Sequence, residues 1–316
     1  ATSRGVPRTP ARAAGGMLDL PEPISPLPAE PFEQAADEPG PPMRARRRLP
    51  LLAPHPLVVP GVLFALTLLT TTLANGLAYA LALLAILLVH EMGHYMTCRV
   101  YRIPSTLPYF LPLPPQISFL GTLGAVIRMR LRTGQRKVLF DIGIAGPIAG
   151  VIVAIPVAIW GLAHSRVLPG NGLAPGIQLG ESLLFRLLER AVLGPLGPTD
   201  VVVLHPVALA GWTGLFVTGL NLIPAGMLDG GHVLYGLLGA KSRWVAFPVV
   251  GALVVLAITQ FPGWWIWVGL LLLLGVTHPA VRLPGGTISR GRVLLGILAL
   301  AVFVACFVPR PISLAP

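Results

Sequence analysis

The residues best suited to chemistry are His90, Glu91 and His94, which form a His-Glu-x-x-His motif. On an α-helix, side chains four positions apart project from one face, so both imidazoles could bind the same Zn²⁺ ion. Glu91 is then the expected general base toward a water molecule. A motif this short also occurs by chance. Its surroundings must decide whether it is a metal site or a chance match.

The motif lies inside an apolar run that is long enough to span a bilayer. Ionisable side chains are costly within a membrane, and those that occur there are usually functional. Two histidines and a glutamate in such a run therefore favour a metal centre over histidines that serve only as core residues.

The composition predicts a multi-pass membrane protein. Only 11% of the 316 residues are charged and the mean hydropathy is +0.77, whereas soluble proteins carry about 25% charged residues. We predict an all-α polytopic membrane protein with about seven transmembrane helices, since apolar runs near the ~18-residue spanning length recur along the chain. These runs lie at 57–73, 77–99, 139–163, 206–224, 244–260, 263–278 and 292–308.

The distribution of positive charge predicts the orientation. With the N-terminus inside, the cytoplasmic stretches 1–56, 99–138, 226–243 and 279–292 hold 7, 7, 2 and 3 of the 23 lysines and arginines. Such a bias is expected of cytoplasmic loops. A net charge of +11 could also indicate nucleic-acid binding, but no folded basic domain is present to carry that site, and we expect no nucleic-acid partner.

A third zinc ligand is expected from the end of the fourth apolar segment. Catalytic zinc takes three protein ligands and keeps one position open. Because this segment ends on the same side of the membrane as His90 and His94, Asp229 is the favoured ligand. Cys98, one turn beyond His94, and His232, three residues after Asp229, remain alternatives. His232 fits better as a residue that supports the ligands.

Together these residues resemble the site-2 protease family of intramembrane zinc metalloproteases. The family pattern is HExxH on one membrane helix and N-x-x-P-x-x-x-x-D-G on a later one, and the second motif stands here at Asn221, Pro224, Asp229 and Gly230. Three stretches are also similar to the subgroup typified by the plant chloroplast ethylene-dependent gravitropism-deficient and yellow-green proteins and their bacterial homologues. These stretches are 121–125, 139–150 and 228–232.

The resemblance implies roles for five residues. His90, His94 and Asp229 would be the zinc ligands, Glu91 the general base, and Asn221 a polar group beside the scissile carbonyl. An amide donor there could stabilise a developing oxyanion. The alternative for Asn221 is an ordinary hydrogen bond between helices.

The implied function is an intramembrane zinc endopeptidase that hydrolyses peptide bonds in transmembrane segments of membrane-protein substrates, as in regulated intramembrane proteolysis. The expected partners are such substrates and the lipid bilayer. One alternative is a catalytically silent membrane binding protein of the same fold that sequesters transmembrane helices, although an intact Glu91 argues against it. Another is a zinc transporter, which would need several ligand sets along a path.

We expect three regions along the chain. Residues 1–49, rich in Pro, Ala, Arg and Glu, are predicted to form a disordered cytoplasmic tail. Residues 50–240 would form the metalloprotease core in the membrane, and residues 241–316 the C-terminal transmembrane helices. Because the tail carries six acidic residues, unlike an acidic-poor transit peptide, we expect the bacterial plasma membrane as its location.

Two further patterns concern the architecture around the site. From 124 to 132 apolar residues alternate with arginines, which predicts a strand of an interfacial β-hairpin on the cytoplasmic side. Its edge could pair with an unwound substrate, or the hairpin could only anchor to anionic lipid. Gly146 and Gly150 form a small-x-x-x-small pair, which predicts close helix packing.

Overall fold

The computed structural model describes Thr2 and residues 57–129, 136–168, 177–197, 200–279 and 288–314. All the helices and strands described below lie in one compact unit, Pro54–Pro316. Apart from Thr2, the tail predicted at 1–49 lies outside the described residues.

Within these residues the chain forms nine α-helices and one short 3₁₀ turn, Gly239–Ser242, that joins α6 to α7. The helices are α1 (Val58–Asn75), α2 (Leu77–Val100), α3 (Arg136–Ala163), α4 (Leu183–Leu193), α5 (Pro206–Asn221), α6 (Asp229–Leu238), α7 (Arg243–Thr259), α8 (Trp264–Leu274) and α9 (Arg290–Cys306).

The strands in the described part of the chain form three small antiparallel sheets of two strands each. They are β1 (Tyr109–Pro112) with β2 (Thr122–Val126), β3 (Arg166–Leu168) with β5 (Val201–Val203), and β4 (Ile177–Leu179) with β6 (Ile312–Leu314).

The helices account for all seven predicted apolar segments, each of which overlaps one of α1, α2, α3, α5, α7, α8 and α9. By length and composition, four helical runs in the described residues could cross a membrane: α1, α2, α3 and the 31-residue run Asp229–Thr259. Helices α5, α8 and α9 are shorter, at 16, 11 and 17 residues. The protein is therefore mostly helical with four candidate spans, and seven crossings remain a prediction.

Helix α3 lies at the centre and packs against α2, α4, α5 and α6. Its contact with α5 is close enough that backbones touch: a Cβ on Gly211 would lie 2.6 Å from Cα of Ala158, and one on Gly161 would lie 2.1 Å from N of Ala208. The helix continues through Pro147 and Pro156, as membrane helices often do when their neighbours satisfy the freed backbone groups. A tightly held α3 gives the site a fixed wall.

The β1–β2 hairpin lies against α1 and α2, and its predicted position at the membrane interface stays a prediction. At its tip, Asn75 donates to the carbonyl of Phe119 (2.6 Å) and Thr70 donates to that of Gly121 (2.7 Å). The tip therefore lies beside the junction of α1 and α2, while Ile127 and Met129, near the open end, pack with residues of the far end of α2. The hairpin thus extends from the junction of α1 and α2 toward the far end of α2, and donors on α1 satisfy two carbonyls at its tip.

The extent of the strand also differs from the prediction. Strand β2 covers 122–126, Met129 adds a single bridge to Ser105, and residues 130–132 lie outside the described part. The predicted strand of 124–132 is therefore seen only in its first part.

Replacing Asn75 with Leu tests how the hairpin tip is held. The carbonyl of Phe119 loses its donor, and such bonds in membrane proteins stabilise by about 0.6–1.7 kcal/mol. We expect amide hydrogen exchange at residues 119–122 to become roughly 3- to 15-fold faster, measured by mass spectrometry in detergent. Leu73→Ala, on the exposed side of α1, is the control, and unchanged exchange in Asn75→Leu would contradict this account of the tip.

Candidate metal centre

The HExxH motif lies on α2, buried between helices. His90, Glu91 and His94 are only 3%, 5% and 4% exposed. Helix α2 begins at Leu77, one residue after α1 ends, and the motif at 90–94 lies in its second half. The three polar side chains are therefore withdrawn from solvent, and their polar atoms need partners within the protein.

Glycines on α3 make the space that the two imidazoles occupy. A Cβ on Gly146 would lie 2.1 Å from Nε2 of His94, and one on Gly150 would lie 2.9 Å from Nδ1 of His90. The pair does allow close helix packing, as the sequence predicted. Gly146 has a further role, because any side chain at this position would collide with His94, a predicted zinc ligand.

Asp229 meets the histidines from the start of α6. Its Oδ2 lies 3.2 Å from Nε2 of His90 and 3.2 Å from Nε2 of His94, and the two Nε2 atoms are 3.3 Å apart. At the N-terminus of a helix a carboxylate is also favoured by the helix dipole. The structure therefore brings together the three residues that the two sequence motifs predicted as zinc ligands.

The spacing of these three atoms suits one tetrahedral zinc ion. With zinc–ligand distances of about 2.0–2.1 Å, tetrahedral geometry places ligand atoms about 3.3–3.4 Å from one another. The distances of 3.2, 3.2 and 3.3 Å fall close to this value. A divalent cation between the atoms would accept a lone pair from each of them.

The tautomer of His94 fits the same interpretation. Its Nδ1 lies 2.8 Å from the carbonyl oxygen of Ile142. A carbonyl can only accept, so Nδ1 carries the proton and Nε2 keeps a lone pair directed at the three-atom group. Such a partner fixes both the ring orientation and the tautomer of a metal-binding histidine.

The alternative third ligands do not join the group. Among the described residues, His90, His94 and Asp229 form the only set of three or more His, Cys, Asp or Glu side chains close enough to share an ion. Cys98 is buried in an apolar cluster with Val138 and Ile142. His232 lies near the site without belonging to the set, and its buried Nδ1 has no hydrogen-bond partner in the described part of the chain.

A cavity of about 170 Å³ opens beside the three atoms. Glu91 and Asn221, the two other predicted site residues, both line it, and the Asn221 amide nitrogen lies 3.2 Å from Nε2 of His90. The remaining lining residues are His94, Ala125, Val126, Ile127, Met129, Met227, Leu228, Asp229 and His232. A substrate carbonyl in this cavity would meet an acid–base group, an amide donor and the metal ligands together.

Replacing Gly146 with Ala tests the fit between α3 and the imidazole. Alanine has the higher helix propensity by about 1 kcal/mol, so α3 itself should not weaken, but the new methyl group would displace the ring of His94. We expect zinc affinity to fall by about 10- to 100-fold, measured by competition with a chelator. Gly251→Ala on α7 is the matched control, since a Cβ there meets nothing within 4 Å. Equal zinc affinity in both variants would contradict this packing.

Comparison with known proteins agrees with the site. The model of peptidase family M50 matches residues 78–261, which is more than half of the chain. The chain is 35% identical over 173 residues to a rice (Oryza sativa subsp. japonica) protein named "Probable zinc metalloprotease EGY1, chloroplastic", covering 53% of this chain and 29% of that protein. It is 35% identical over 176 residues to the Arabidopsis thaliana protein of the same name, covering 54% and 31%.

These relatives extend well beyond the matched region, because the chain spans only about a third of their length. The structure is also similar to the site-2 protease from Methanocaldococcus jannaschii, with 18% identity over 78% of this chain and 85% of that one. The TM-score is 0.31, which is too low to establish a shared fold. The family match, together with the HExxH and Asp229 motifs, shows that the chain belongs to peptidase family M50, the family of site-2 proteases.

Proposed function

We propose that this protein is an intramembrane zinc endopeptidase that hydrolyses peptide bonds in transmembrane segments of other membrane proteins. One observation carries the proposal: two imidazole nitrogens and a carboxylate oxygen lie 3.2–3.3 Å apart inside membrane-type helices. The names of the relatives, which include zinc metalloprotease, support the same chemistry.

In this proposal His90, His94 and Asp229 hold the zinc. When bound, zinc acts as a Lewis acid and lowers the pKa of a water molecule toward ~7. Two imidazoles and one carboxylate are a ligand set found in catalytic zinc sites, which keep a further position open. The cavity beside the three atoms gives that position access to a peptide.

Glu91 and Asn221 would act on the reacting atoms. The Glu91 carboxylate takes a proton from the attacking water and returns it to the leaving amine. The Asn221 amide, at the C-terminal end of α5 and 3.2 Å from His90, donates to the oxygen on which negative charge develops. The distance to His90 is also what an ordinary hydrogen bond between helices would give. The catalytic role proposed for Asn221 therefore rests on its position in the cavity wall.

The free edge of the hairpin offers a place for an extended substrate. The backbone N–H of Thr106 donates to the carbonyl of Arg128, and the N–H of Arg128 donates to the Thr106 hydroxyl. In an extended chain the N–H groups of successive residues point to opposite edges, so those of Ile127 and Met129 would face away from the 105–106 segment. Both residues line the cavity, so an unwound substrate could add as a strand at this edge.

The membrane arrangement is part of the proposal. We propose that seven segments cross the bilayer with the N-terminus in the cytoplasm, so that cleavage occurs toward the cytoplasmic end of the substrate helix. The positive-charge bias of the predicted loops supports this orientation. A bacterial plasma membrane is the location that the composition of the tail favours, whereas the relatives' names point to chloroplasts.

Replacing Glu91 with Gln separates an enzyme from a silent binding protein. The metal-binding atoms are untouched, so we expect wild-type zinc content together with loss of cleavage of at least 100-fold, as loss of a general base predicts at about 10²–10⁴. The assay is cleavage of a transmembrane substrate in detergent without any ion gradient, which also separates proteolysis from transport. Glu181→Gln, beside α4, is the matched control. Substantial cleavage by Glu91→Gln would remove this residue from its role.

Replacing Ile127 with Pro tests the substrate edge. Proline removes the N–H group of residue 127 while leaving the hydrogen bonds between Thr106 and Arg128 in place. We expect slower cleavage with unchanged zinc content, measured as kcat/KM on a helical substrate. Ile127→Ala is the control, because it shortens the side chain and keeps the N–H. If the proline variant cleaved as fast as the alanine variant, strand addition at this edge would be wrong.

A further inference from the structure

Three helices meet at one carboxylate close to the metal centre. Arg292 on α9 donates from Nε to Oδ1 of Asp141 (2.8 Å) and from Nη2 to Oδ2 (2.7 Å). Tyr101, the residue that directly follows α2, donates its hydroxyl hydrogen to the same Oδ2. Asp141 itself lies on α3. This junction therefore ties the ends of α2 and α9 to the helix that forms the wall of the site.

The junction is built for a fixed geometry. A forked guanidinium–carboxylate pair constrains both orientation and distance, which a single point charge does not. The side chains of Arg292 and Asp141 are 25% and 20% exposed, so solvent weakens the pair only in part. Without the arginine, the mostly buried Asp141 carboxylate would keep one side-chain donor among the described residues, the Tyr101 hydroxyl.

The carboxylate is adjacent to the group that orients a predicted zinc ligand. Asp141 directly precedes Ile142, whose carbonyl accepts the proton of His94 Nδ1 at 2.8 Å. One turn further along α3, Gly146 provides the space for the same imidazole. A shift or rotation of this turn of α3 would change the Ile142 hydrogen bond and the wall against His94 together.

Helix α9 also contacts the other helices that carry site residues. A Cβ on Gly296 of α9 would lie 2.5 Å from the side chain of Leu237 on α6, the helix that begins at Asp229. A Cβ on Gly219, two residues before Asn221 on α5, would lie 2.9 Å from the backbone of Cys306 at the end of α9. Helix α9 thus braces α3, α5 and α6, although it lies beyond the matched family region, 78–261.

We propose that Arg292 is a positioning residue of the metal centre. Through Asp141 it fixes the turn of α3 whose Ile142 carbonyl holds His94 in the tautomer and orientation for zinc. The inference rests on the proposed zinc site and adds to it a residue from outside the family motifs.

The test measures metal binding rather than activity alone. Zinc affinity is determined by chelator competition in detergent, and the cobalt-substituted protein gives an absorption spectrum that reports on ligand geometry. The variants are Arg292→Met, which removes the ion pair, Arg292→Lys, which keeps the charge and loses the fork, and Tyr101→Phe, which removes only the hydroxyl. Arg290→Met is the matched control, because Arg290 is an exposed arginine at the start of the same helix.

We expect Arg292→Met to bind zinc about tenfold more weakly, at the lower end of effects for residues that support ligands, with a changed cobalt spectrum. Arg292→Lys should recover part of the loss, Tyr101→Phe should show a smaller loss in the same direction, and Arg290→Met should match the wild type. If Arg292→Met does not fold, Tyr101→Phe decides alone.

Wild-type zinc affinity and cobalt spectrum in Arg292→Met, or in Tyr101→Phe where it decides, would overturn the inference, even if thermal stability fell. In that case zinc binding by the wild type would leave the proposed function standing. A wild type that binds no zinc would overturn the metal site and, with it, the role of Arg292.

Discussion

The convergence of two imidazoles and a carboxylate on a single point inside a membrane-type helix bundle is the constraint on which this structure depends. The two Nε2 atoms and the Oδ2 atom lie 3.2–3.3 Å apart, and burying three polar side chains costs free energy unless their polar atoms find partners. A divalent cation bound between the three atoms would be such a partner. Every other polar atom of the ligands must then be satisfied by the protein, as the Ile142 carbonyl does for Nδ1 of His94.

The central helix α3 meets this requirement with small residues and backbone groups rather than with side chains. Gly146 and Gly150 leave room for the two imidazoles, and Gly143 lets α3 approach the first turn of α6, where a Cβ would lie 2.7 Å from Cβ of His232. In membranes, close packing of this kind replaces the hydrophobic effect as the main source of helix association. The same contacts that hold the helices together therefore also set the positions of the ligands.

Much of the site could be predicted from the sequence, because its determinants are local. Side chains four residues apart share a helix face, and hydropathy located the second apolar segment at 77–99 where the helix runs Leu77–Val100. The carbonyl of Ile142 could not be found in this way, since a backbone acceptor carries no residue-type signal. The Asp141–Arg292 pair spans 151 residues, and the position of the hairpin tip depends on donors from α1. These features follow from tertiary packing, which hydropathy periodicity and motif spacing do not report.

The zinc content of the purified chain in detergent, for the wild type and for Asp229→Ala, tests the metal site most directly. We expect about one zinc ion per wild-type chain and a clear loss in the variant, because Asp229 would supply one of three ligands. Such a result would join the two motifs, 139 residues apart between His90 and Asp229, into one site. Carefully prepared wild type without zinc, or zinc retained at wild-type affinity in Asp229→Ala, would contradict it.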